Sequence, residues 1–338
     1  QMEELTPFAR LAQLEAITVG HGGYAEVMHG ITRNIEFAKY TRTPACSLLT
    51  GEAGVGKTNL CRAIVNHYRA DTDRSAAYVS TKVGAYYLQI PSPVTIRSLA
   101  SVMLDEMGDP KPQYGTALGM TRRLVKLSSK TSIRAKFLDE FQHLWSATSR
   151  GPGGDTARDN VRNWIKTLIE HVKVPIILVG MPSCEELIDA DKQLSRRFPY
   201  RFRLFDIPLE RDKEPEFQTY LALYASEAAR LLRVKLPGFE NRDDALRVYA
   251  TTRGNPSCVH ELFKCAVLEA MHADLPQEGL TLRYDIQPQR TLKDVELAHF
   301  RKAADLPYFV GSRFTQKNPF ELEINALSQE ITANEGRR

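Results

Sequence analysis

One octapeptide of the chain has the residue types needed to hold a chain of phosphates. Residues 51–58 read GEAGVGKT and fit the pattern G-x-x-x-x-G-K-[ST] at every fixed position. Glycines let a backbone fold around an anion with its N–H groups pointing inward, and a helix that begins near Lys57 adds the positive end of its dipole. We therefore expect ATP and Mg²⁺ as cofactors, with Lys57 reaching the β- and γ-phosphates and the Thr58 hydroxyl holding the metal. The structural alternative is a glycine turn that merely precedes a helix.

An acidic pair provides the second half of this chemistry. Asp139 and Glu140 follow the apolar segment 133–138, about eighty residues after the octapeptide, where a P-loop NTPase places its metal-coordinating carboxylate. We expect Asp139 to coordinate Mg²⁺ through water and Glu140 to orient and polarise the attacking water. The pair favours hydrolysis over transfer of a phosphoryl group to a second substrate. Without the octapeptide, an Asp-Glu pair after a strand is often just a helix cap.

Two adjacent arginines are candidates for stabilising the transition state. Charge that develops on the γ-phosphate commonly requires an additional cation, often an arginine from a neighbouring subunit. Arg196 and Arg197 lie in the segment 194–198, between two apolar segments. We expect Arg197, and after it Arg196, to take this role. The alternative is an ordinary basic helix end, where arginines interact favourably with the helix dipole.

The apolar pattern predicts the elements that must position these groups. Segment 45–49 reads as a short buried strand, and apolar residues after Lys57 recur at helical spacing (Leu60, Ile64, Val65 and Tyr68). Further strands are predicted at 76–80, 133–138, 175–180 and 203–207, and helices at 95–107, 116–129 and 161–172. Continuously apolar strands separated by helices indicate a parallel sheet covered on both faces, which is the doubly wound α/β class.

Beyond this sheet the predicted elements are helical. Helices are expected over 217–231, 245–249 and 259–270, followed by one more near 291–303. We predict an N-terminal leader (1–35), a nucleotide-binding α/β core (36–210), a small all-α lid (211–275) and a C-terminal extension (276–338). For the extension, a partly ordered tail and a segment that docks a partner remain open alternatives.

Composition narrows the class of protein. The 338 residues are 43% hydrophobic and 25% charged, which is typical of a soluble globular protein. No run of eighteen apolar residues and no signal-peptide pattern is present, so we expect a cytoplasmic protein without a membrane partner. Five cysteines without C-x-x-C spacing indicate neither a disulfide framework nor a zinc ribbon. We interpret Cys258, His260 and Cys265 as packing residues rather than a metal site.

Four blocks of sequence together resemble the AAA+ ATPases of transposons called TnsC and TniB. The blocks are residues 51–58, 139–144, 174–180 and 191–198, and the similarity covers about residues 20–275. The resemblance implies an AAA+ P-loop NTPase core with a helical lid. It also implies ATP-dependent assembly into rings or filaments on double-stranded DNA, and recruitment of transposase subunits to a target marked by a TniQ-type targeting protein.

Two departures from the AAA+ pattern bear on the rate of hydrolysis. The position just after the fourth strand commonly carries a sensor Asn or Thr, whereas residues 180–183 (GMPS) offer Ser183. A lid arginine often follows a Gly-Asn-Pro turn, but residues 254–256 are followed by SCVH. We therefore expect slow, regulatory ATP hydrolysis. The predicted nucleotide-binding set is Gly51, Glu52, Ala53, Gly54, Val55, Gly56, Lys57, Thr58, Asn59, Asp139 and Ser183.

Basic residues at helical spacing are candidates for contacts with DNA. One row comprises Arg122, Lys126 and Lys130, a second comprises Arg158, Arg162 and Lys166, and Lys82 and Arg150 lie in predicted loops. Such a row can follow phosphates without reading sequence, and the net charge of +4 permits it. The alternative is a solvated helix face, supported by Lys166 and Glu170 as an i,i+4 pair.

The sequence thus predicts an ATP-dependent, DNA-binding AAA+ regulator of transposition that selects targets. In this hypothesis Arg197 of one subunit approaches the γ-phosphate held by Lys57 of the next, and hydrolysis assisted by Glu140 disassembles the oligomer. An alternative is an AAA+ replication initiator or helicase loader, which a dedicated DNA-reading domain would favour; residues 276–338 show no convincing one. A third hypothesis is a small-molecule kinase, which would need a bound phosphoryl acceptor.

Overall fold

The computed structural model describes residues 6–41, 46–72, 84–130, 133–146, 154–272 and 292–335. These residues fall into two compact units. One unit is Gly23–Phe205, and the other comprises Gln1–Gly22 together with Asp206–Arg338. The predicted four-segment division stays a prediction.

The Gly23–Phe205 unit is built on a five-stranded parallel sheet. Its strands are β1 (Ser47–Gly51), β2 (Tyr86–Gln89), β3 (Lys136–Asp139), β4 (Ile176–Gly180) and β5 (Tyr200–Leu204), in the spatial order β2-β3-β4-β1-β5. Every residue of β1, β3 and β4 is buried, as expected of central parallel strands. Because parallel strands end at the same edge of a sheet, the carboxyl ends of β1, β3 and β4 lie side by side.

Helices cover both faces of this sheet. They are α2 (Gly22–Ala38), α3 (Lys57–Thr72), α4 (Ile96–Glu106), α5 (Ala117–Lys130), α6 (Gln142–Ser146), α7 (Gly154–Val172), α8 (Ser183–Asp189) and α9 (Lys192–Ser195), after α1 (Pro7–Ala12) of the other unit. Alternate strand residues point to opposite faces: Leu48 and Leu178 pack in one core with α4, α5 and α7, and Leu49 and Ile177 pack in another with α2 and α3. The predicted α/β class is therefore confirmed.

Two strands differ from their predicted positions. Predicted strand 76–80 lies outside the described residues, whereas β2 at Tyr86–Gln89 was not predicted. Strand β5 begins at Tyr200 and ends at Leu204, not at 203–207. As an edge strand beside β1, it alternates buried or half-buried residues with the exposed Arg201 and Arg203, so it lacks the continuous apolar run that marks a central strand.

The second unit is helical. Besides α1 it contains α10 (Glu216–Leu232), α11 (Arg242–Thr252), α12 (Pro256–His272), α13 (Leu297–Ala304), α14 (Pro307–Val310) and α15 (Ile324–Glu335). Phe300, Phe309 and Leu327 from the C-terminal segment are fully buried in one core with the helices α10 to α12. The rings of Phe263 and Phe300 meet edge to face with centroids 4.9 Å apart. The described part of the segment after residue 291 is thus packed structure.

The predicted packing residues of α12 lie in this unit. His260 Nδ1 is 2.9 Å from the Tyr224 hydroxyl, and Cys258 Sγ is 3.7 Å from the Tyr308 hydroxyl. Burial lowers the pKa of His260 and raises the pKa of the Cys258 thiol, which favours the neutral forms. Among the residues that the structure describes, no helix is both long and apolar enough to cross a membrane.

Candidate nucleotide-binding site

The octapeptide forms a turn between β1 and α3 whose backbone requires glycine. Gly54 and Gly56 have φ angles of 80° and 96°, a region that residues with a side chain rarely adopt. A β-carbon at Gly51 would lie 2.6 Å from the carbonyl oxygen of Leu204. Helix α3 begins at Lys57, so the first N–H groups of the helix and those of the turn are adjacent. This is the local geometry of a phosphate cradle.

Lys57 lies at the centre of the charges in this region. Its side chain is mostly buried, and its Nζ donates to the carbonyl oxygens of Gly51 at 2.7 Å and Glu52 at 2.8 Å. Burial lowers the pKa of Lys57, while the carboxylates of Glu140, Asp139 and Glu52 oppose that shift. The predicted lysine and the predicted acidic pair are therefore brought into one electrostatic environment.

Asp139 ends β3 as a fully buried carboxylate with three hydrogen-bond donors. Its Oδ2 accepts from the Thr58 hydroxyl at 2.7 Å and from the Tyr87 hydroxyl at 2.8 Å, and its Oδ1 accepts from the Glu140 N–H at 2.8 Å. Thr58 and Asp139 together supply the hydroxyl and the carboxylate that P-loop proteins use for Mg²⁺, so the residues present fit that metal.

Tyr87 is a member of the site that the sequence did not predict. Burial and the adjacent Asp139 raise the pKa of Tyr87 well above its usual value, so its hydroxyl remains a donor. The guanidinium of Arg62 lies 5.7 Å from the centroid of the Tyr87 ring. Because β2 itself was missed, the position of Tyr87 beside β3 could be found only from the sheet register, in which Tyr87 pairs with Phe137.

Glu140 follows Asp139 with a left-handed backbone. Its φ angle is 57°, which is uncommon for a residue other than glycine, asparagine or aspartate and indicates that the surroundings hold it in place. Its carboxylate accepts a hydrogen bond from the side-chain amide of Gln142. Gln142 is a second contact residue that sequence reasoning missed.

The segment after β4 contacts the strand before the octapeptide through a residue other than the predicted Ser183. Ser183 is exposed at the start of α8. Two residues further, Glu185 accepts a hydrogen bond from the hydroxyl of Thr50, with 2.5 Å between the oxygens. Since Thr50 directly precedes the octapeptide, α8 is joined to the start of the phosphate cradle through Glu185. The role predicted for Ser183 stays a prediction.

The two candidate arginines lie at the end of α9. Arg196 is exposed. The Arg197 side chain is 39% exposed, with its guanidinium 3.6 Å from the carboxylate of Glu170, and its carbonyl oxygen accepts from the Cys46 N–H at 3.0 Å. The backbone of Arg197 is thus fixed just before β1, while its side chain reaches the surface. Its approach to the nucleotide of another subunit stays a prediction.

The predicted DNA-contacting residues whose side chains the structure describes lie on α5 and on α7. Arg122 and Lys126 are exposed on α5. On α7, Arg162 pairs with Asp159 at 2.5 Å, and Lys166 pairs with Asp191 rather than with Glu170 as the alternative had it. Lys82 and Arg150 lie outside the described residues, as do the side chains of Lys130 and Arg158.

Comparisons with known proteins agree with this geometry. The model of the family described as "Bacterial TniB protein" matches residues 11–205. Curated proteins give no match. The family match confirms the resemblance drawn from the sequence.

Solved structures share the fold of the chain. The ORC1 protein of Aeropyrum pernix in complex with DNA is 17% identical, with a TM-score of 0.56 over 87% of this chain and 67% of that one. The ORC2 protein of Aeropyrum pernix, in ADPNP and ADP complexes, is 14% identical, with a TM-score of 0.59 over 86% of this chain and 70% of that one. Cdc6p of Pyrobaculum aerophilum is 13% identical, with a TM-score of 0.50 over 76% and 64% of the two chains. At these identities the likeness shows the AAA+ fold.

Proposed function

Because the chain belongs to the TniB family of bacterial proteins, we propose that it is an ATP-dependent, DNA-binding AAA+ regulator of transposition. It would assemble on double-stranded target DNA in the bacterial cytoplasm and link a TniQ-type targeting protein to transposase subunits. The observation that carries the ATPase part of the proposal is the hydrogen bond between Thr58 and the buried Asp139, directly beside the glycine turn and Lys57.

The residues of the site divide the work of hydrolysis. Bound Mg²⁺, held by Thr58 and Asp139, would neutralise charge on the phosphates. The N–H groups of the turn and Lys57 bind the phosphate oxygens and orient the γ-phosphate. Glu140 accepts a hydrogen bond from the attacking water and so places the water's lone pair toward phosphorus. Lys57 then stabilises the charge that accumulates on the transferred group.

Assembly and DNA binding use the surface residues. Arg197 has a fixed backbone and an accessible side chain, which suits a cation that completes the site of a neighbouring subunit. Arg122 and Lys126 are exposed on one face of α5, which suits contact with phosphates without sequence readout. The solved structure of the similar ORC1 protein contains DNA, which supports DNA as a partner for this fold.

The first experiment is a test of assembly. The purified chain is combined with ADP, ATP or a slowly hydrolysed ATP analogue, each with and without double-stranded DNA, and its mass distribution and electron-microscope appearance are recorded. We expect rings or filaments only when an ATP-like nucleotide and DNA are both present. A monomer under every condition would contradict both the trans arginine and the DNA oligomer.

A substitution at the predicted water-orienting residue tests the catalytic assignment. Glu140→Gln should keep ATP binding and stabilise the oligomer, because the amide cannot polarise water; turnover should fall by about a hundredfold or more. Glu186→Gln makes the same chemical change at an exposed position of α8 and serves as the control. Fast ATP turnover by Glu140→Gln would remove Glu140 from the mechanism.

A second candidate is an AAA+ replication initiator or loader, favoured by the likeness to the ORC and Cdc6 structures. Affinity for one DNA sequence over random duplexes, or capture of a helicase rather than a transposase, would support it. ATP turnover that ignores DNA and requires a phosphoryl acceptor would instead support the small-molecule kinase.

A further inference from the structure

The side chain of Gln142 bridges two parts of the candidate ATPase site. Its Nε2 donates to the carboxylate of Glu140, and its Oε1 accepts from the N–H of Met181 at 3.2 Å. Glu140 is the predicted water-orienting residue, and Met181 directly follows β4. One primary amide therefore ties the carboxylate to the carboxyl end of a central strand.

Glycine at position 180 makes room for this bridge. A β-carbon there would lie 2.7 Å from Gln142 Oε1 and 2.7 Å from Cys184 Sγ. The sequence of the turn after β4 offers only Ser183 as a sensor side chain, and Ser183 is exposed. The side-chain amide that contacts the end of β4 is thus that of Gln142, which follows β3 in the chain.

The backbone that carries Gln142 is itself fixed. The N–H of Phe141 donates to the Val179 carbonyl oxygen at 2.9 Å, and His143 Nδ1 lies 2.8 Å from the carbonyl oxygen of Ile90. Phe141 and Leu144 are buried on either side. Phe141 is thus hydrogen-bonded to β4, and His143 contacts the chain after β2. Because both neighbours of Gln142 are held, the backbone of Gln142 is fixed and its side-chain amide is placed beside Glu140.

We propose that Gln142 is a positioning residue for ATP hydrolysis, which holds the Glu140 carboxylate in the orientation that receives the attacking water. This inference rests on the proposed ATPase function and on the role of Glu140 within it. With one carboxylate oxygen fixed by the amide N–H, the other oxygen remains available to water. The left-handed backbone of Glu140 and the hydrogen bond from Gln142 then act together to restrict the side chain.

Two substitutions of similar size test the donor role and the acceptor role of the Gln142 amide. Gln142→Leu removes both hydrogen bonds. Gln142→Glu keeps an acceptor for the Met181 N–H but removes the donor to Glu140 and places two carboxylates together, so it tests the proposal even if the leucine variant does not fold. Gln113→Leu, at an exposed loop position, is the matched control, and thermal unfolding of each variant establishes that it is folded.

The experiment measures kcat and KM for ATP and the affinity for a fluorescent, slowly hydrolysed ATP analogue. We expect Gln142→Leu and Gln142→Glu to lower kcat by about ten- to a hundredfold, as misplacement of a catalytic group does. KM and the affinity for the analogue should change by less than about threefold, since the phosphate cradle is untouched. An increase in KM at unchanged kcat, or wild-type kcat in both variants, would overturn the proposal.

Combining each variant with Glu140→Gln shows whether Gln142 acts through Glu140. If it does, the double variant should turn over ATP as slowly as Glu140→Gln alone, because the group being positioned is already inactive. Effects that multiply would overturn the proposal and assign Gln142 an independent contact. Absence of ATPase activity in the wild-type chain would refute the proposed ATPase function itself, whereas full activity in Glu140→Gln would remove Glu140 from the mechanism. Those two measurements alone distinguish both results from a failure of the proposal for Gln142.

Discussion

Charged residues at the carboxyl edge of the sheet in the Gly23–Phe205 unit differ in burial and in their partners from charged residues on the outer helices. At the edge, Asp139 is fully buried and accepts three hydrogen bonds, and Lys57 donates to two carbonyl oxygens. On the outer helices, Arg197 approaches Glu170 at 3.6 Å with both side chains substantially exposed, and Lys166 pairs with Asp191.

The difference follows from the cost of removing charge from water. A buried charge is tolerated only when it is paired and hydrogen-bonded, so the catalytic edge must be arranged within one chain. An exposed ion pair contributes only about 0–1 kcal/mol, so the surface cations can exchange their partners at little cost. In the proposed function, ATP binding would therefore use the preformed geometry of the edge, and subunit contact and DNA contact would use surface residues that complete their interactions on assembly.

The largest effect should come from the surface arginine that is expected to enter another subunit. Arg197→Ala should lower ATP turnover of the assembled protein by about a hundredfold or more, because the transition state loses a cation, with nucleotide affinity of the free chain little changed. Arg196→Ala, at the neighbouring exposed position, should have the smaller effect. ATPase rates with DNA, compared with nucleotide affinity without it, measure both quantities.

Mixing variants shows whether this arginine acts between subunits. Arg197→Ala subunits keep Glu140, and Glu140→Gln subunits keep Arg197, so a mixed oligomer contains complete sites at some interfaces. Turnover of the mixture should exceed that of either variant alone. A mixture no more active than its parts would contradict a role of Arg197 in the site of a neighbouring subunit.

A buried cation far more restricted than Arg197 provides the next test. Lys136 on β3 is 2% exposed, its Nζ donates to the Ser128 hydroxyl at 2.7 Å, and burial lowers the pKa of Lys136 to about 8. The folded state therefore binds the proton more weakly than the unfolded state does. Stability from this group is lowest below about pH 8 and increases as pH rises toward the usual lysine value, by at most about 3 kcal/mol over the whole window.

Lys136→Met isolates that contribution while keeping a long, unbranched side chain. The free energy of unfolding of Lys136→Met, taken relative to that of the wild type, should be highest near pH 7. It should decline by about 1–2 kcal/mol by pH 9.5, as measured by urea unfolding across the range. A difference that does not depend on pH would mean that Lys136 titrates normally and that its burial carries no electrostatic cost.

DNA binding should distinguish the two basic rows from each other. Arg122→Ala with Lys126→Ala removes two cations that lie exposed on α5, so the salt dependence of affinity for a duplex should fall by about two phosphate contacts and the affinity by about tenfold at moderate salt. Arg162→Ala with Lys166→Ala should have a smaller effect, because Asp159 and Asp191 already neutralise those side chains. Fluorescence anisotropy of a labelled duplex over a salt series, with a slowly hydrolysed ATP analogue present, measures both pairs; equal slopes for the two would contradict the α5 assignment.

The sequence predicted the parts of the fold and the site that depend on local patterns. The glycine-rich octapeptide, the acidic pair after β3 and the continuously apolar β4 can be recognised from residue types and spacing alone. Strand β2 was missed because its four residues lack a periodic pattern long enough to separate a strand from other structure. Tyr87 and Gln142 could not be assigned, because their roles arise from sheet register and from a contact between the ends of β3 and β4.

Tyr87 also gives the smallest and most specific test of the contrast between edge and surface. Tyr87→Phe removes one of the three donors to Asp139 and keeps the ring beside Arg62. Because a buried acceptor loses a partner, the free energy of unfolding should fall by about 1 kcal/mol, as measured by urea unfolding. Tyr114→Phe, at an exposed position, is the control and should leave stability unchanged.

Asp139 would still accept a hydrogen bond from Thr58, so ATP binding should persist in Tyr87→Phe. Binding should require a higher Mg²⁺ concentration, because the carboxylate of Asp139 is less firmly oriented. If stability and the Mg²⁺ requirement were both unchanged, the hydroxyl would be replaceable by water, and the edge of the sheet would be less strictly prearranged than its buried hydrogen bonds indicate.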